Sequence, residues 1–136
     1  MHEPAAVIER LVRATNDHDL DAIAACFAAE YVNETPAHPQ RGFHGRSQVR
    51  ANWANIFEFV PDVTARVLRS AVDHHSVWTE WEMHGTRADG NVHLMRGVII
   101  FVVDDDVIAS ARFYLEPVDE SAETATELVR GQAGAK

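Results

Sequence analysis

The spacing of apolar residues changes period once along the chain. Through residues 4–15, Val7, Ile8, Leu11 and Val12 recur on one side of a helical repeat, after Pro4, which suits a first turn. "NDHD" breaks that pattern. Asp19 is then the expected cap of a second helix with Leu20, Ile23, Ala24 and Phe27 on its buried side. "EYVNETPAHPQRGFHG" reads as a short extended piece running into a loop with two prolines and two glycines. Ser47 is the expected cap of a third helix, whose Val49, Trp53, Ile56, Phe57 and Val60 share a face and which Pro61 ends.

From residue 63 the repeat becomes two. Strands are expected at 64–72, 76–87, 92–103 and 107–117, separated by "DHH", "ADGN" and "DDD", with Asp89-Gly90 as a hairpin turn. Three helices and a short strand followed by a four-strand meander make an α+β protein, helices on one face of an antiparallel sheet. Residues 1–118 read as one domain. Residues 119–136 read as a tail, partly disordered or with a short helix near Leu128 and Val129.

Alternation sorts the two sheet faces. Val77, Thr79, Trp81, Met83 and Gly85 oppose Trp78, Glu80, Glu82 and His84; His93, Met95, Gly97, Ile99, Phe101 and Val103 oppose Val92, Leu94, Arg96, Val98 and Ile100. In the last strand, Val107, Ala109, Ala111, Phe113 and Leu115 oppose Ile108, Ser110, Arg112, Tyr114 and Glu116. Helices need apolar partners, so the face with Trp81, Met83, Met95, Phe113 and Leu115 is expected to meet them. The back then carries Glu80, Glu82, Arg96, Arg112 and Tyr114, a charged surface able to pair across strands and to form a dimer. Glu80, Glu82 and His84 could in principle ligate a metal, but neighbours at i and i+2 splay about 7 Å apart, so ion pairing is the expectation and no metal is assigned.

Composition narrows the classes of function. The chain has 136 residues, 46% hydrophobic and 24% charged, which is ordinary for a globular domain with a core of its own. A net charge of −9 disfavours nucleic acid. Cys26 is the sole cysteine, so no intrachain disulfide forms and a reducing cytoplasm is expected. Neither a signal peptide nor a membrane span is read from the sequence, and no membrane partner is expected. All basic residues but Lys136 are arginine, and with the many alanines this suggests a GC-rich bacterial genome.

The order of elements resembles the nuclear transport factor 2-like superfamily, in particular its SnoaL-like branch, over about residues 5–117. The strings that carry the likeness are "NDHDLDAIAACFA", the "GR" before the third helix, "GTRADG", "RGV" and "ARFYLEP". The resemblance implies a curved sheet wrapped around helices as a cystatin-like cone, an internal pocket, and dimers formed through the outer sheet face. It does not imply one activity, because the fold hosts isomerases, hydrolases, cyclases, dehydratases and non-catalytic binders. Positions that carry a tyrosine, a carboxylate base and a protonated aspartate in ketosteroid isomerases match Leu11, Thr35 and Gly97 here. The Asp-Arg-Asp positions of limonene-epoxide hydrolases match Trp81, Met83 and Phe113, and Phe113 also takes the place of the acid in SnoaL-like cyclases. None of those acids is present.

The expected pocket is therefore apolar, lined by Leu11, Trp53, Trp81, Met83, Met95, Phe113 and Leu115, with Tyr31, Asn33 and Thr35 alternating into it from the short strand. His93 is the candidate acid or base, being the group on that face able to exchange a proton near neutral pH; the alternative is a rim histidine satisfied by a backbone carbonyl. His38 and Arg41, on the loop over the mouth, are candidates to meet an anionic ligand. If the register of the last strand slipped by one, Arg112, Tyr114 and Glu116 would enter instead. The expected function is binding of a small, mainly apolar molecule by a homodimer without cofactors. The alternatives are an isomerase, cyclase or hydrolase using His93, and an interaction module whose pocket is filled by its own side chains.

Overall fold

The period switch near residue 63 divides a helical layer from a meander in the structure, a computed structural model that describes residues 3–134. Helices α1 (Pro4–Asn16) and α2 (Leu20–Ala25) precede strand β1 (Phe27–Glu34). One 3-10 turn (Pro39–Arg41) and the short β2 (Phe43–His44) lead into α3 (Arg46–Phe59). The meander is β3 (Thr64–Asp73), β4 (Ser76–Thr86), β5 (Val92–Asp104) and β6 (Val107–Pro117), and α4 (Ala125–Gly134) follows. The six strands form one curved, open sheet in the order β2-β1-β6-β5-β4-β3.

The sheet is mixed rather than wholly antiparallel, because β1 runs parallel to β6. Two local expectations are corrected. Phe27 opens β1 instead of extending α2, since Cys26 already closes that helix. Gly45, not Ser47, caps α3: its φ of 98° is left-handed, and its N–H donates to the Tyr31 carbonyl at 2.7 Å, tying the helix start to β1. Asp19 does cap α2, accepting from the Ala22 N–H at 3.1 Å. Thr124 and Glu127 exchange side-chain-to-backbone bonds at 3.1 and 3.2 Å, a reciprocal capping arrangement at the start of α4. Leu128 and Val129 on α4 are exposed.

Val7, Ile8 and Leu11 of α1 are buried with Val77, Trp81, Ile99, Phe101 and Val103 of the sheet. Each fully buried large side chain of this kind contributes about 1.5–3 kcal/mol. The Trp81 indole N–H donates to Thr79 Oγ1 at 2.6 Å, and Thr79 donates to the Ile99 carbonyl at 2.6 Å, so the most buried polar groups of this core are satisfied.

Alternation holds throughout β4 and β5 but not through β6. Ile108 pairs with Val103 and Ser110 with Val102, so Ala109 is an extra residue, a bulge. The bulge turns Ile108 inward, where it is fully buried, and the expected inward set at Val107 and Ala109 is corrected accordingly. From Ala111 to Leu115 the expected parity returns.

Gly97 sits opposite Trp81 on one side and Leu115 on the other. Its φ is 153°, and a Cβ there would overlap the Tyr114 carbonyl oxygen and lie 2.8 Å from the Leu115 Cα. Only glycine lets β5 and β6 approach so closely. Gly97→Ala is expected to destabilise the fold by at least about 3 kcal/mol, the upper end of overpacking costs, read as a lower urea midpoint. An unchanged midpoint would refute the close approach.

Candidate functional site

Toward one end of the sheet the inner face stops being filled. Beyond Ile99, the inward residues of β5 are Gly97, Met95 and His93, and the last two are only half-buried. Met83 on β4, Phe113 and Leu115 on β6, and Val49, Trp53 and Ile56 on α3 face the same space, with Phe27 and Tyr31 from β1 and Phe43 from β2. Together they enclose a cavity of about 360 Å³, within the size range of small-molecule sites. The α3 residues belong there because i, i+4 and i+7 share a helix face.

The polar groups of the wall are sparse. Tyr31 is buried, and its hydroxyl donates to Asn33 Oδ1 at 2.7 Å. Burial pushes the Tyr31 phenol far above its ordinary range, so it remains a neutral donor. The Asn33 amide nitrogen has no acceptor among the described residues, which leaves its two N–H groups for a guest or a water. Thr35, Asn52, Arg41, His93 and Glu116 complete the polar lining. No Asp or Glu is among the buried residues described, so no carboxylate lies buried in the site.

Ten of the residues proposed from sequence line this cavity: Tyr31, Asn33, Thr35, Arg41, Trp53, Met83, His93, Met95, Phe113 and Leu115. Leu11 and Trp81 do not. Both are packed into the core, Leu11 because α1 covers the filled end of the sheet, Trp81 because its indole bonds Thr79 and packs beside Phe101. Glu116, expected outside, lines the cavity instead, and Arg112 and Tyr114 remain outside and exposed. Phe27, Phe43 and Asn52 had no sequence signal strong enough to place them, and Glu116 was reached only through a register slip that Arg112 and Tyr114 do not follow. Val49 and Ile56 were legible as helix-face partners of Trp53.

On the outer face the carboxylates of β4 are engaged by arginines. Glu82 accepts from Arg66 and Arg96, both at 2.9 Å, and Arg96 first and Arg66 second hold its carboxyl below the ordinary range. Glu80 pairs with Arg69 at 2.9 Å. No grouping of three metal-ligating side chains occurs among the described residues. Arg112 forms no ion pair with the described residues.

A SnoaL-like domain model matches residues 8–111. The chain belongs to the SnoaL-like domain family. Its fold is similar to that of wild-type IdmH, a candidate polyketide cyclase from Streptomyces antibioticus, with a TM-score of 0.75 and 22% identity over 85% of this chain and 93% of that one. An LEH-like epoxide hydrolase of M. tuberculosis matches with a TM-score of 0.72 and 18% identity, covering 96% of this chain and 92% of the other. A cystatin-fold protein from Novosphingobium aromaticivorans matches with a TM-score of 0.72 and 17% identity, over 83% and 98% of the two chains. At these identities the likeness is one of fold. No curated protein matches this sequence.

His93 of this SnoaL-like protein stands, with Ile56, between the cavity and an outer cleft edged by Phe59, Arg87 and Ala88. Burial first, then the charges of Arg87 and His84, lower its pKa below the ordinary 6.5. The unfolded chain therefore takes up protons there at higher pH than the folded one. The stability linked to His93 is full above about pH 6.5 and is lost as pH falls toward the lower folded value. Between about pH 7.5 and 5.5 the urea midpoint of His93→Gln is expected to fall less than that of the wild type. Equal falls would show that His93 is not so perturbed.

Proposed function

We propose that this SnoaL-like protein binds a small, mainly apolar molecule in the cavity between α3 and the sheet. The observation that carries the reading is the wall itself: aromatic and aliphatic side chains around about 360 Å³, with a neutral Tyr31–Asn33 pair as its buried polarity. Such a wall offers apolar burial to a guest of about ten to twenty heavy atoms, while Asn33 supplies orientation through its free N–H groups. A cavity with one buried hydrogen-bonding pair and no buried charge favours affinity over bond-making, because charge stabilisation in a dry site is the usual source of rate.

Catalysis is the second reading, favoured by His93 lying on the wall and being kept neutral at physiological pH by burial and Arg87. A neutral imidazole there would serve as a proton acceptor in an isomerase, cyclase or hydrolase, classes that the candidate cyclase and the epoxide hydrolase with this fold bring to mind. His93→Ala would abolish turnover in that case and only alter affinity in the first.

The protein is further proposed to be a cytoplasmic homodimer that uses the outer sheet face, with residues 1–118 as its domain and 119–136 as an appended tail. Trp78, 49% exposed, and Tyr114, 40% exposed, flank Val98 and Ile100 there, and the arginine–glutamate pairs border them. Buried Cys26 and the net charge of −9 agree with a reducing compartment and with partners other than nucleic acid. No helix among the described residues is long and apolar enough to cross a membrane.

N-phenyl-1-naphthylamine, a neutral apolar fluorophore, is expected to bind the wild type with micromolar affinity, and Met95→Trp, which fills the cavity, to weaken it at least about tenfold. Failure of the probe to brighten with either protein would remove the binding reading. On light scattering after size exclusion, the wild type is expected to run as a dimer and Trp78→Asp as a monomer. A monomeric wild type would dispose of the interface.

A further inference from the structure

Glu116 enters the cavity against the alternation of β6, and the contacts that hold it there define a polar end for the ligand. β6 continues past Arg112, the last of its residues paired with β1, so that edge of the strand has no neighbouring strand. The segment leading into the Pro39–Arg41 turn meets Glu116, and His38 Nε2 lies 2.8 Å from Glu116 Oε1. Glu116 Oε2 makes no hydrogen bond with the described residues; the Arg41 guanidinium is 4.0 Å away, and Arg41 and Glu116 both line the cavity. One oxygen is fixed by the imidazole. The other is free to accept.

The charges at this mouth select what it accepts. Glu116 and Arg41 carry opposite charges, so the pair adds none in total. An anionic ligand would face Glu116, whose open oxygen offers it only repulsion. A group that only accepts hydrogen bonds gains nothing from Oε2, and Arg41, 62% exposed along its side chain, keeps its donors hydrated. A neutral hydroxyl can donate to Oε2 while its apolar body lies against Phe113 and Leu115. Because His38 already restrains the carboxylate, little further ordering is needed on binding.

We propose that the His38–Glu116 pair is the recognition end for a hydroxyl donor, which makes the ligand an apolar alcohol or phenol rather than a hydrocarbon or an acid. This rests on the cavity being a binding site for apolar molecules. Glu116 contacts the ligand, and His38 acts as a positioning residue.

Isothermal titration of the full chain with 4-butylphenol, 4-butylanisole and 4-butylbenzoate separates the possibilities. The wild type is expected to bind the phenol about tenfold more tightly than its methyl ether, the size of a charge-assisted hydrogen bond at a partly exposed site. Glu116→Ala should bring phenol and ether within about twofold of each other with the ether's affinity retained, and His38→Ala should give an intermediate preference. Retained ether binding also shows that the variants are folded. Equal binding of phenol and ether by the wild type, tighter binding of the benzoate, or a phenol preference that survives Glu116→Ala would overturn the proposal while leaving the apolar cavity in place. Binding of none of the three would overturn the cavity reading and the proposal together.

Discussion

The close approach of β5 and β6 at Gly97 is the constraint on which the rest of this structure depends. β5 is central, bonded to β4 along one edge and to β6 along the other, so its local geometry is passed to the whole sheet. On one side of Gly97 the inward residues Ile99, Phe101 and Val103 are buried; on the other, Met95 and His93 form a wall. A Cβ at 97 would run into the β6 backbone at Tyr114 and Leu115. The glycine thus marks the border between filled core and open cavity. An acid at position 97 could not be accommodated without moving β6.

The polar chemistry of the site follows from where charge can be solvated. Deep in the cavity, the Tyr31 hydroxyl and Asn33 Oδ1 pair as neutral groups, at modest cost in a low-dielectric setting. An unpaired carboxylate there would be expensive to keep ionised. Charge appears instead at the rim, where Glu116, His38 and Arg41 remain partly exposed and water shares their field. The arrangement is an apolar chamber with a neutral interior and a polar mouth. It suits a ligand whose own polarity is concentrated at one end.

Much of the fold was legible in the sequence because its signals are local. The helical repeat of α1, the Asp19 cap, the face of α3 and the period-two strands depend on spacing alone, and β4 shows the expected inside and outside residues without exception. What was not legible depends on tertiary context. Ala109 is chemically unremarkable as a bulge, yet it reverses the facing of Ile108. The placement of α1 over the filled end sent Leu11 into the core, and Trp81 turned to Thr79 and Phe101 there. Residue type alone could not distinguish an apolar side chain that lines a cavity from one that fills it. The helix start at Gly45 rather than Ser47 was set by a backbone bond to Tyr31 on another element.

The run Glu80-Trp81-Glu82-Met83-His84 shows how far strand parity carries a functional argument. Its carboxylates are occupied by arginines of β3 and β5 on the outer face, and its apolar members build the core and one wall of the cavity. Parity answers the question there because β4 has a partner on both sides throughout most of its length, and each side chain has only two directions available. Parity loses its authority where the ladder stops. Past Arg112, β6 has no neighbour on its β1 side, and an outward residue at that edge can turn toward whatever the adjoining loop presents. Glu116 does so because His38 offers a partner. Unpaired strand ends beside a cavity are therefore the places where sheet alternation should be set aside and the facing loop read for its donors and acceptors.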